Sequence, residues 1–249
     1  MNAVLFSPDG KLLVSGSDDK SIIFWDAKSF EPVKTFESQE QVISLALSPE
    51  GRRIAAGLAN QSTVVYDTKD GQVLKNLKGE KPAFSRDGRF LALAGPDHTA
   101  KIHDAKTYEL VKTLKGHKDS IAAVAFSPDQ QRIVSGSADQ TVKIWDRNSS
   151  NLVKTLKTNS HSIFSVAFSP DGKLLAAGGS ILIDGIPYTH NDSEVMVWDA
   201  RTFKLLHSLK GHASAVNTIA FSPDNKFLAS GSIDKTIRIW SFSHNVSRK

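Results

Sequence analysis

The chain has 249 residues, of which 40% are hydrophobic and 23% are charged, and its formal net charge is +5. These values are typical of a folded protein in water and exclude an intrinsically disordered or a collagen-like chain. The sequence contains no cysteine, which excludes disulfides, thiolate metal sites and cysteine nucleophiles.

The first segment in chain order, residues 1–10, reads MNAVLFSPDG. It has no basic residue ahead of its short apolar run and contains Pro8, so it does not fit a secretory signal. No apolar run in the chain approaches the roughly 20 residues that a membrane helix needs. We therefore expect an intracellular, cytoplasmic protein with no membrane partner.

Six copies of one repeat fill the chain and determine its organisation. Each copy has one marker just before a turn of the SPDG type and a second marker, an aromatic residue or His, that closes a later apolar run. The pairs of markers are Phe6 and Trp25, Leu47 and Tyr66, Phe84 and His103, Phe126 and Trp145, Phe168 and Trp198, and Phe221 and Trp240. The two markers are 19 residues apart in every copy except the fifth, where they are 30 apart because 11 extra residues are present.

Each copy divides into four short strand-like runs, which in the fourth copy read SIAAVAF, QRIVSGS, QTVKIWD and NLVKTLK. The SPDG turn uses Pro to fix φ and Gly to occupy a positive φ, and Gln130 and Asn225 replace that Gly in two copies. A four-stranded sheet cannot bury both of its apolar faces alone, whereas six sheets stacked around a common axis bury them and leave a central channel. The pattern therefore predicts a β-propeller without helices.

Two segments resemble the WD-repeat family, and the resemblance extends over essentially the whole chain. They are LKGHKDSIAAVAFSPDQQRIVSGSADQTVKIWD at residues 114–146 and LKGHASAVNTIAFSPDNKFLASGSIDKTIRIWS at residues 209–241. The resemblance implies an all-β fold, a β-propeller of six four-stranded antiparallel blades, in a single domain over residues 1–249. We expect the last blade to be incomplete, because the chain after Trp240 leaves its outer strand short or missing.

The resemblance also implies a buried hydrogen-bonded tetrad of His, Ser, Asp and Trp within a blade. The residues that match are His117, Ser135, Asp139 and Trp145 in the fourth copy and His212, Ser230, Asp234 and Trp240 in the sixth. Mutual hydrogen bonds satisfy polar groups that are costly to bury, so we interpret these residues as structural. The fifth copy keeps Asp192 and Trp198 but has Asn159 and Ala177 in place of the His and the Ser.

Nine lysines fall in or beside the outermost strand of successive blades, which predicts a belt that keeps the exposed edges from pairing with other chains. They are Lys34, Lys75, Lys78, Lys112, Lys115, Lys154, Lys157, Lys204 and Lys210. A nucleic-acid site would instead concentrate basic residues in one groove together with aromatic residues. We therefore expect no nucleic-acid partner, and the basic terminus SRK keeps a nucleic-acid-associated subunit as a third hypothesis.

No nucleophile elbow, Walker loop, HExxH motif or Rossmann glycine pattern occurs in the sequence. We expect no catalytic residue, no cofactor and no metal. One cluster of polar residues keeps a second hypothesis open, an enzyme or a binder of a small ligand or metal. It consists of Asp184, Tyr188, His190, Asn191 and Asp192 in the insertion of the fifth copy.

That insertion, at about residues 181–191, joins the second and third strands of blade 5. In the WD family this connection emerges beside the mouth of the channel, and the dipeptide Asp184-Gly185 favours a β-hairpin turn. The hairpin either packs on its own blade or recognises a partner; the two are compatible, and we expect its tip to be available for binding. Blade 3 deviates in the opposite sense, since its innermost strand is shortened and Pro82 removes a hydrogen-bond donor.

The function we expect is non-catalytic: a rigid scaffold that binds a protein or peptide partner through the upper face of the ring and the insertion. Phe164 stands where other copies have Ala122 and Asn217, so it resembles an interface anchor, with core packing as an equal alternative. The candidate partner-binding residues are Ile183, Asp184, Ile186, Tyr188, His190, Phe164, His161, Lys118 and Asp119.

Overall fold

A computed structural model describes residues 1–95, 97–180 and 193–242, together with the backbone of 182–183 and 186–187. The predicted all-β fold is confirmed: the described residues form 25 strands and contain no helix. Six antiparallel sheets follow one another in chain order as the six blades of a β-propeller. Within the described ranges there is accordingly no helix that could span a membrane.

Blades 1 to 3 are each built from four consecutive strands that pair in chain order. Their strands are β1 (Ala3–Phe6), β2 (Leu12–Gly16), β3 (Ser21–Asp26) and β4 (Pro32–Glu37); β5 (Val42–Leu47), β6 (Arg53–Leu58), β7 (Ser62–Asp67) and β8 (Val73–Lys78); and β9 (Glu80–Phe84), β10 (Phe90–Ala94), β11 (Thr99–Asp104) and β12 (Leu110–Lys115). Only Gly79 separates β8 from β9, and β9 has five residues, as the shortened third repeat predicts.

Blades 4 and 5 also have four strands each, and blade 6 has three within the described residues, which agrees with the predicted incomplete last blade. Blade 5 carries two extra short strands in its insertion. The strands are β13 (Ile121–Phe126), β14 (Arg132–Ser137), β15 (Thr141–Asp146) and β16 (Leu152–Lys157); β17 (Ser162–Phe168), β18 (Leu174–Ser180), β19 (Leu182–Ile183), β20 (Ile186–Pro187), β21 (Ser193–Asp199) and β22 (Leu205–His212); and β23 (Val216–Phe221), β24 (Phe227–Ser232) and β25 (Ile237–Ser241).

The turn between the first two strands of each blade is held by its own side chains. In blade 1 the Ser7 hydroxyl donates to the Asp9 carboxylate over 2.6 Å, and the Leu12 amide donates to the Ser7 hydroxyl over 2.9 Å. The predicted positive φ is present at Gly10 (69°), and also at its replacements Gln130 (62°) and Asn225 (61°). The turn geometry is therefore retained where glycine is lost.

The hydrophobic core lies between the blades, because each sheet buries its two faces against its neighbours. In the seam between blades 4 and 5, for example, Val142 and Ile144 of β15 pack with Ile163 of β17 and Trp198 of β21. Four further clusters of this kind join blades 1 and 2, 2 and 3, 3 and 4, and 5 and 6. The blades therefore stabilise one another in sequence around the channel.

Two of the rim lysines tie neighbouring blades together. The Lys34 ammonium of blade 1 donates to the Thr68 and Lys69 carbonyls of blade 2 over 2.6 and 2.7 Å. The Lys112 ammonium of blade 3 makes the same contact with the Arg147 and Asn148 carbonyls of blade 4. These two cations have a structural role at the rim, which the sequence pattern did not indicate.

A glycine near the end of the second strand allows two blades to approach closely. A Cβ added to Gly136 of blade 4 would lie 2.5 Å from Cγ2 of Ile163 in blade 5. At the matching position of blade 6, a Cβ on Gly231 meets only Thr218 of its own blade, at 2.9 Å. We expect Gly136→Ala to lower the free energy of unfolding by about 1–3 kcal/mol through overpacking, and Gly231→Ala to lower it by less.

Urea unfolding followed by tryptophan fluorescence measures both variants against the wild type. If both substitutions lowered the free energy of unfolding equally, the contact with the following blade would not be the reason that position 136 requires glycine.

Candidate functional site

The four polar groups that the resemblance brings together in blade 4 form one hydrogen-bonded chain. The Trp145 indole N–H donates to the Ser135 hydroxyl over 2.8 Å, and that hydroxyl donates to Nε2 of His117 over 2.7 Å. Nδ1 of His117 donates to the Asp139 carboxylate over 2.8 Å. The carboxylate also accepts from the Thr141 hydroxyl and the Lys118 amide, over 2.6 and 2.9 Å. The polar side-chain groups of Trp145, Ser135, His117 and Asp139 therefore all have hydrogen-bond partners.

Blade 6 repeats the arrangement with the same geometry. Trp240 donates to the Ser230 hydroxyl over 2.8 Å, and His212 joins Ser230 and Asp234 over 2.8 Å on each side. Burial alone would raise the pKa of Asp234, but hydrogen bonds from Thr236, His212 and the Ala213 amide hold that pKa well below its ordinary value. A carboxylate that accepts this many hydrogen bonds stays ionised and fixes the orientation of its imidazole.

The same hydrogen bonds decide the charge of the blade 4 histidine. Burial lowers the pKa of His117 below its ordinary value, and the hydrogen bond to Asp139 offsets this only in part. The pKa of Asp139 is lowered as well, because hydrogen bonds from Thr141, the Lys118 amide and His117 outweigh the opposing effect of burial. The pair is therefore a neutral imidazole beside a carboxylate at neutral pH.

These groups have the chemical types of a Ser-His-Asp triad, but their surroundings do not suit catalysis. The Ser135 side chain is buried without any exposed surface, and its hydroxyl is already engaged by both His117 and Trp145. A nucleophile must be reachable by its substrate. Among the described residues no group of three or more acidic, His or Cys side chains is arranged to hold a metal ion. The tetrads thus join residues of their blades through buried hydrogen bonds.

Blade 5 replaces the tetrad with an ion pair that the sequence pattern did not reveal. Glu194 is buried, and its carboxylate accepts from the Ser208 hydroxyl over 2.8 Å and lies 3.0 Å from the Lys210 ammonium. Burial would raise the pKa of Glu194, but the contacts with Lys210, Ser208 and Asn159 lower it. Asn159 occupies the His position of this repeat, so the lost His and Ser are compensated by a different polar network.

A cavity of about 550 Å³ opens at the mouth of the channel, and residues from all six blades line it. Six of its lining residues, one from each blade, are called the mouth ring below: Asn2 just before β1, and Ile43, Lys81, Ala122, Phe164 and Asn217 in the innermost strands of blades 2 to 6. In blades 2 to 6 the residue of the mouth ring is the one at which the register between the first two strands shifts. A β-bulge turns a side chain out of the normal alternation, so the same local irregularity presents one side chain per blade to the mouth.

The mouth ring combines apolar surface with one cation. Phe164 is half-buried and lies on the cavity wall together with Ile43. Lys81 has a φ of 52°, and burial lowers the pKa of its ammonium, against the attraction of neighbouring Glu80. Among the described residues, no acceptor lies within hydrogen-bonding or ion-pairing distance of that ammonium. A partly desolvated cation at the wall of a cavity favours an acidic or carbonyl-rich ligand.

Three other candidate partner-binding residues lie outside the mouth cavity. Lys118, Asp119 and His161 are exposed in the connections that precede β13 and β17, and none of them lines the mouth cavity. The insertion forms the predicted hairpin, since β19 and β20 pair antiparallel through Leu182 with Pro187 and Ile183 with Ile186. The remaining hairpin candidates fall outside the residues whose side chains are described: Ile183, Asp184, Ile186, Tyr188 and His190.

A comparison with protein families identifies the repeated segments of the chain as WD repeats. A family model described as "WD domain, G-beta repeat" matches residues 1–26, 30–67, 108–146, 150–199 and 203–241, which together exceed half of the chain. The matches omit residues 68–107, which contain β9 with its bulge at Lys81.

Similarity to individual proteins is confined to short segments. The chain is 48% identical to Protein HIR1 of Gibberella zeae over 52 residues, 50% identical to Periodic tryptophan protein 2 of Saccharomyces cerevisiae over 48, and 54% identical to the WD repeat-containing protein 26 homolog of Arabidopsis thaliana over 50. These alignments cover 21%, 19% and 20% of this chain and only 5%, 5% and 8% of the relatives. The chain therefore spans a small part of each relative.

The blade 4 tetrad makes stability depend on pH. Because folding depresses the pKa of His117, the unfolded chain binds that proton more readily, and the free energy of unfolding falls as the pH drops below the unfolded value of about 6.5. His117→Gln cannot titrate. We expect this variant to lose about 2 kcal/mol of stability at pH 7.5 and to show a smaller decrease between pH 7.5 and 5.5.

Urea unfolding at several pH values measures this dependence, and exposed His161→Gln serves as the control, which should keep the wild-type slope. The buried His103, whose pKa is also lowered by burial, contributes a residual slope in both variants. If the free energy of unfolding of His117→Gln depended on pH as steeply as that of the wild type, His117 would not be the source of the pH dependence.

Proposed function

The chain belongs to the family of WD-domain, G-beta repeat proteins, and we propose that it is a non-catalytic platform that binds a protein or peptide partner at the mouth of its channel. The family's propeller fold fits a scaffold for protein interactions. The observation that carries the proposal is the mouth ring, in which bulges of five consecutive blades each present one side chain to a common cavity.

The chemistry of the ring suggests what the partner presents to it. Phe164 and Ile43 offer apolar surface for a hydrophobic side chain, and the Lys81 ammonium, which has no acceptor among the described residues, offers a site for a carboxylate. Aromatic side chains are enriched among the residues that carry most of the binding energy of protein interfaces. We therefore favour a segment that carries both an acidic and a hydrophobic residue.

We infer that the hairpin of blade 5 extends this surface. Ser180 at the end of β18 pairs with Ser162 at the start of β17, only two residues before Phe164. The insertion that follows Ser180 therefore begins beside the Phe164 end of the innermost strand. This register supports a role for the hairpin as a second contact with the same partner.

The mouth ring is tested with a displayed library of linear peptides selected on the wild-type chain. We expect Phe164→Ala and Lys81→Gln each to weaken the strongest peptide by about tenfold or more, which corresponds to about 1.4 kcal/mol. The affinities are measured by fluorescence anisotropy with a labelled peptide.

Matched controls are Phe30→Ala, an exposed aromatic residue between β3 and β4, and Lys157→Gln on the outer strand of blade 4. Both should bind the peptide as the wild type does. A library without binders, or binders that tolerate both mouth substitutions, would overturn the proposal.

Deletion of residues 181–189 tests the hairpin separately. We expect the variant to keep its thermal unfolding midpoint within a few degrees, because the hairpin pairs with itself in a sheet of its own. We expect the affinity for peptides selected on the wild type to fall. A variant that fails to fold, by circular dichroism, would show that the hairpin supports the blade and would remove its role in recognition.

A further inference from the structure

A cavity of about 290 Å³, called the seam cavity below, lies between blades 2 and 3. Leu77 of the outer strand β8, Gly79 of the link between the blades and Lys101 of β11 are among its lining residues, and no residue of the mouth ring lines it. A cavity of roughly 150 Å³ lined by apolar side chains is large enough to hold a benzene molecule. The seam cavity therefore has room for a fused two-ring system.

The seam cavity lies where blade 4 holds an indole ring. Gly116, which precedes blade 4, has a φ of 146°, and a Cβ built on it would lie 3.3 Å from Cη2 in the six-membered ring of Trp145. Gly79 is the matching residue ahead of blade 3, with a φ of 124°, and it lines the seam cavity. The residue of blade 3 that matches Trp145 is His103, whose side chain has no six-membered ring. The cavity therefore occupies the place of the missing ring.

The connection that leads into blade 3 does not fill this place either. Five residues, 116–120, separate β12 from β13 ahead of blade 4, and among them His117 packs on Trp145 with the ring centroids 6.1 Å apart. Only Gly79 separates β8 from β9 ahead of blade 3. Blade 3 therefore lacks both of the aromatic rings that fill the matching place in blade 4.

His103 has an acceptor whose hydrogen bond is not made. Its residue is only 7% exposed, and Nδ1 lies 3.0 Å from the Tyr108 carbonyl oxygen. Because a carbonyl oxygen can only accept, Nδ1 carries the proton and Nε2 is the acceptor. Nε2 is buried and has no hydrogen-bond partner among the described residues. A buried acceptor without a donor is unfavourable, so this nitrogen requires a partner.

The fold directs that acceptor to the seam cavity. Tyr108 lies beyond the last residue of β11, so the hydrogen bond at Nδ1 turns one edge of the imidazole toward the end of the strand. Nε2 is on the other edge and points toward the start of β11, where Lys101, on the same face of the strand, lines the cavity. Burial lowers the pKa of His103, and the Lys101 ammonium lowers that pKa further, so Nε2 stays unprotonated at neutral pH.

We propose that the seam cavity is a binding site for a small, flat aromatic heterocycle that donates its N–H to Nε2 of His103, with indole as the ring of matching size. In blade 4 the Trp145 N–H donates to the Ser135 hydroxyl over 2.8 Å. The ligand supplies the same kind of ring and donor to blade 3, with His103 as the acceptor. The site is separate from the mouth ring and does not depend on the function proposed there.

The charged side chains of the seam cavity favour one kind of ring substituent. Three of them line the cavity, Lys78, Lys101 and Asp97, and two cations with one carboxylate leave a single net positive charge. Lys101 is already bound to Asp97, whereas Lys78 is exposed. A heterocycle with an acidic substituent is therefore a better ligand than one with a basic substituent.

The probe for the test is 5-fluoroindole, whose binding to the full chain is followed by fluorine NMR of the ligand. We expect saturable binding to the wild type with 1:1 stoichiometry. 5-Fluorobenzofuran has the same shape but an oxygen in place of the N–H. We expect it to bind about tenfold more weakly, because it leaves Nε2 of His103 without a donor.

Two substitutions separate the space of the cavity from its acceptor. His103→Trp fills the cavity with the chain's own indole and should abolish binding of 5-fluoroindole. His103→Phe keeps most of the space but has no acceptor, so it should bind the two probes with equal affinity. If His103→Trp fails to fold by circular dichroism, the comparison of the two probes on His103→Phe still decides.

Two controls exclude other sites. Phe164→Ala removes the aromatic side chain of the mouth ring, and His161→Trp adds an indole at an exposed position, so both should bind 5-fluoroindole as the wild type does. Loss of binding in Phe164→Ala would assign the probe to the mouth cavity and overturn the proposal. Absence of saturable binding to the wild type, or equal affinities of the wild type for the two probes, would overturn it as well.

Discussion

The structure depends on the packing of one small sheet against the next. Each blade has two apolar faces, and a sheet of three or four short strands cannot be stable while both face water. The clusters between consecutive blades provide this cover, with buried residues from both sheets in each case. Three further features act on this packing. The glycine of the second strand allows close approach, the rim lysines bridge neighbouring blades, and the tetrads stiffen individual blades.

The tetrads illustrate how polar residues support a rigid ring. In blades 4 and 6 the hydrogen bonds from indole to hydroxyl to imidazole to carboxylate join the second and third strands to a His that lies shortly before the first strand. The first strand that follows this His carries Ala122 in blade 4 and Asn217 in blade 6. Blade 5 instead holds a buried network of Glu194, Ser208 and Lys210, in which no His takes part.

The sequence was sufficient to predict the blades, because the 19-residue spacing repeats and each turn has a distinctive composition. The grouping of the tetrads was implied by the resemblance to the WD-repeat family. The sequence was not sufficient to predict the mouth ring. Strand alternation assigns Phe164 and Lys81 to one face or the other, and the bulges that turn them toward the mouth arise from pairing with the second strand. Glu194 was missed for a related reason, since its partners Ser208 and Lys210 come from the adjacent strand.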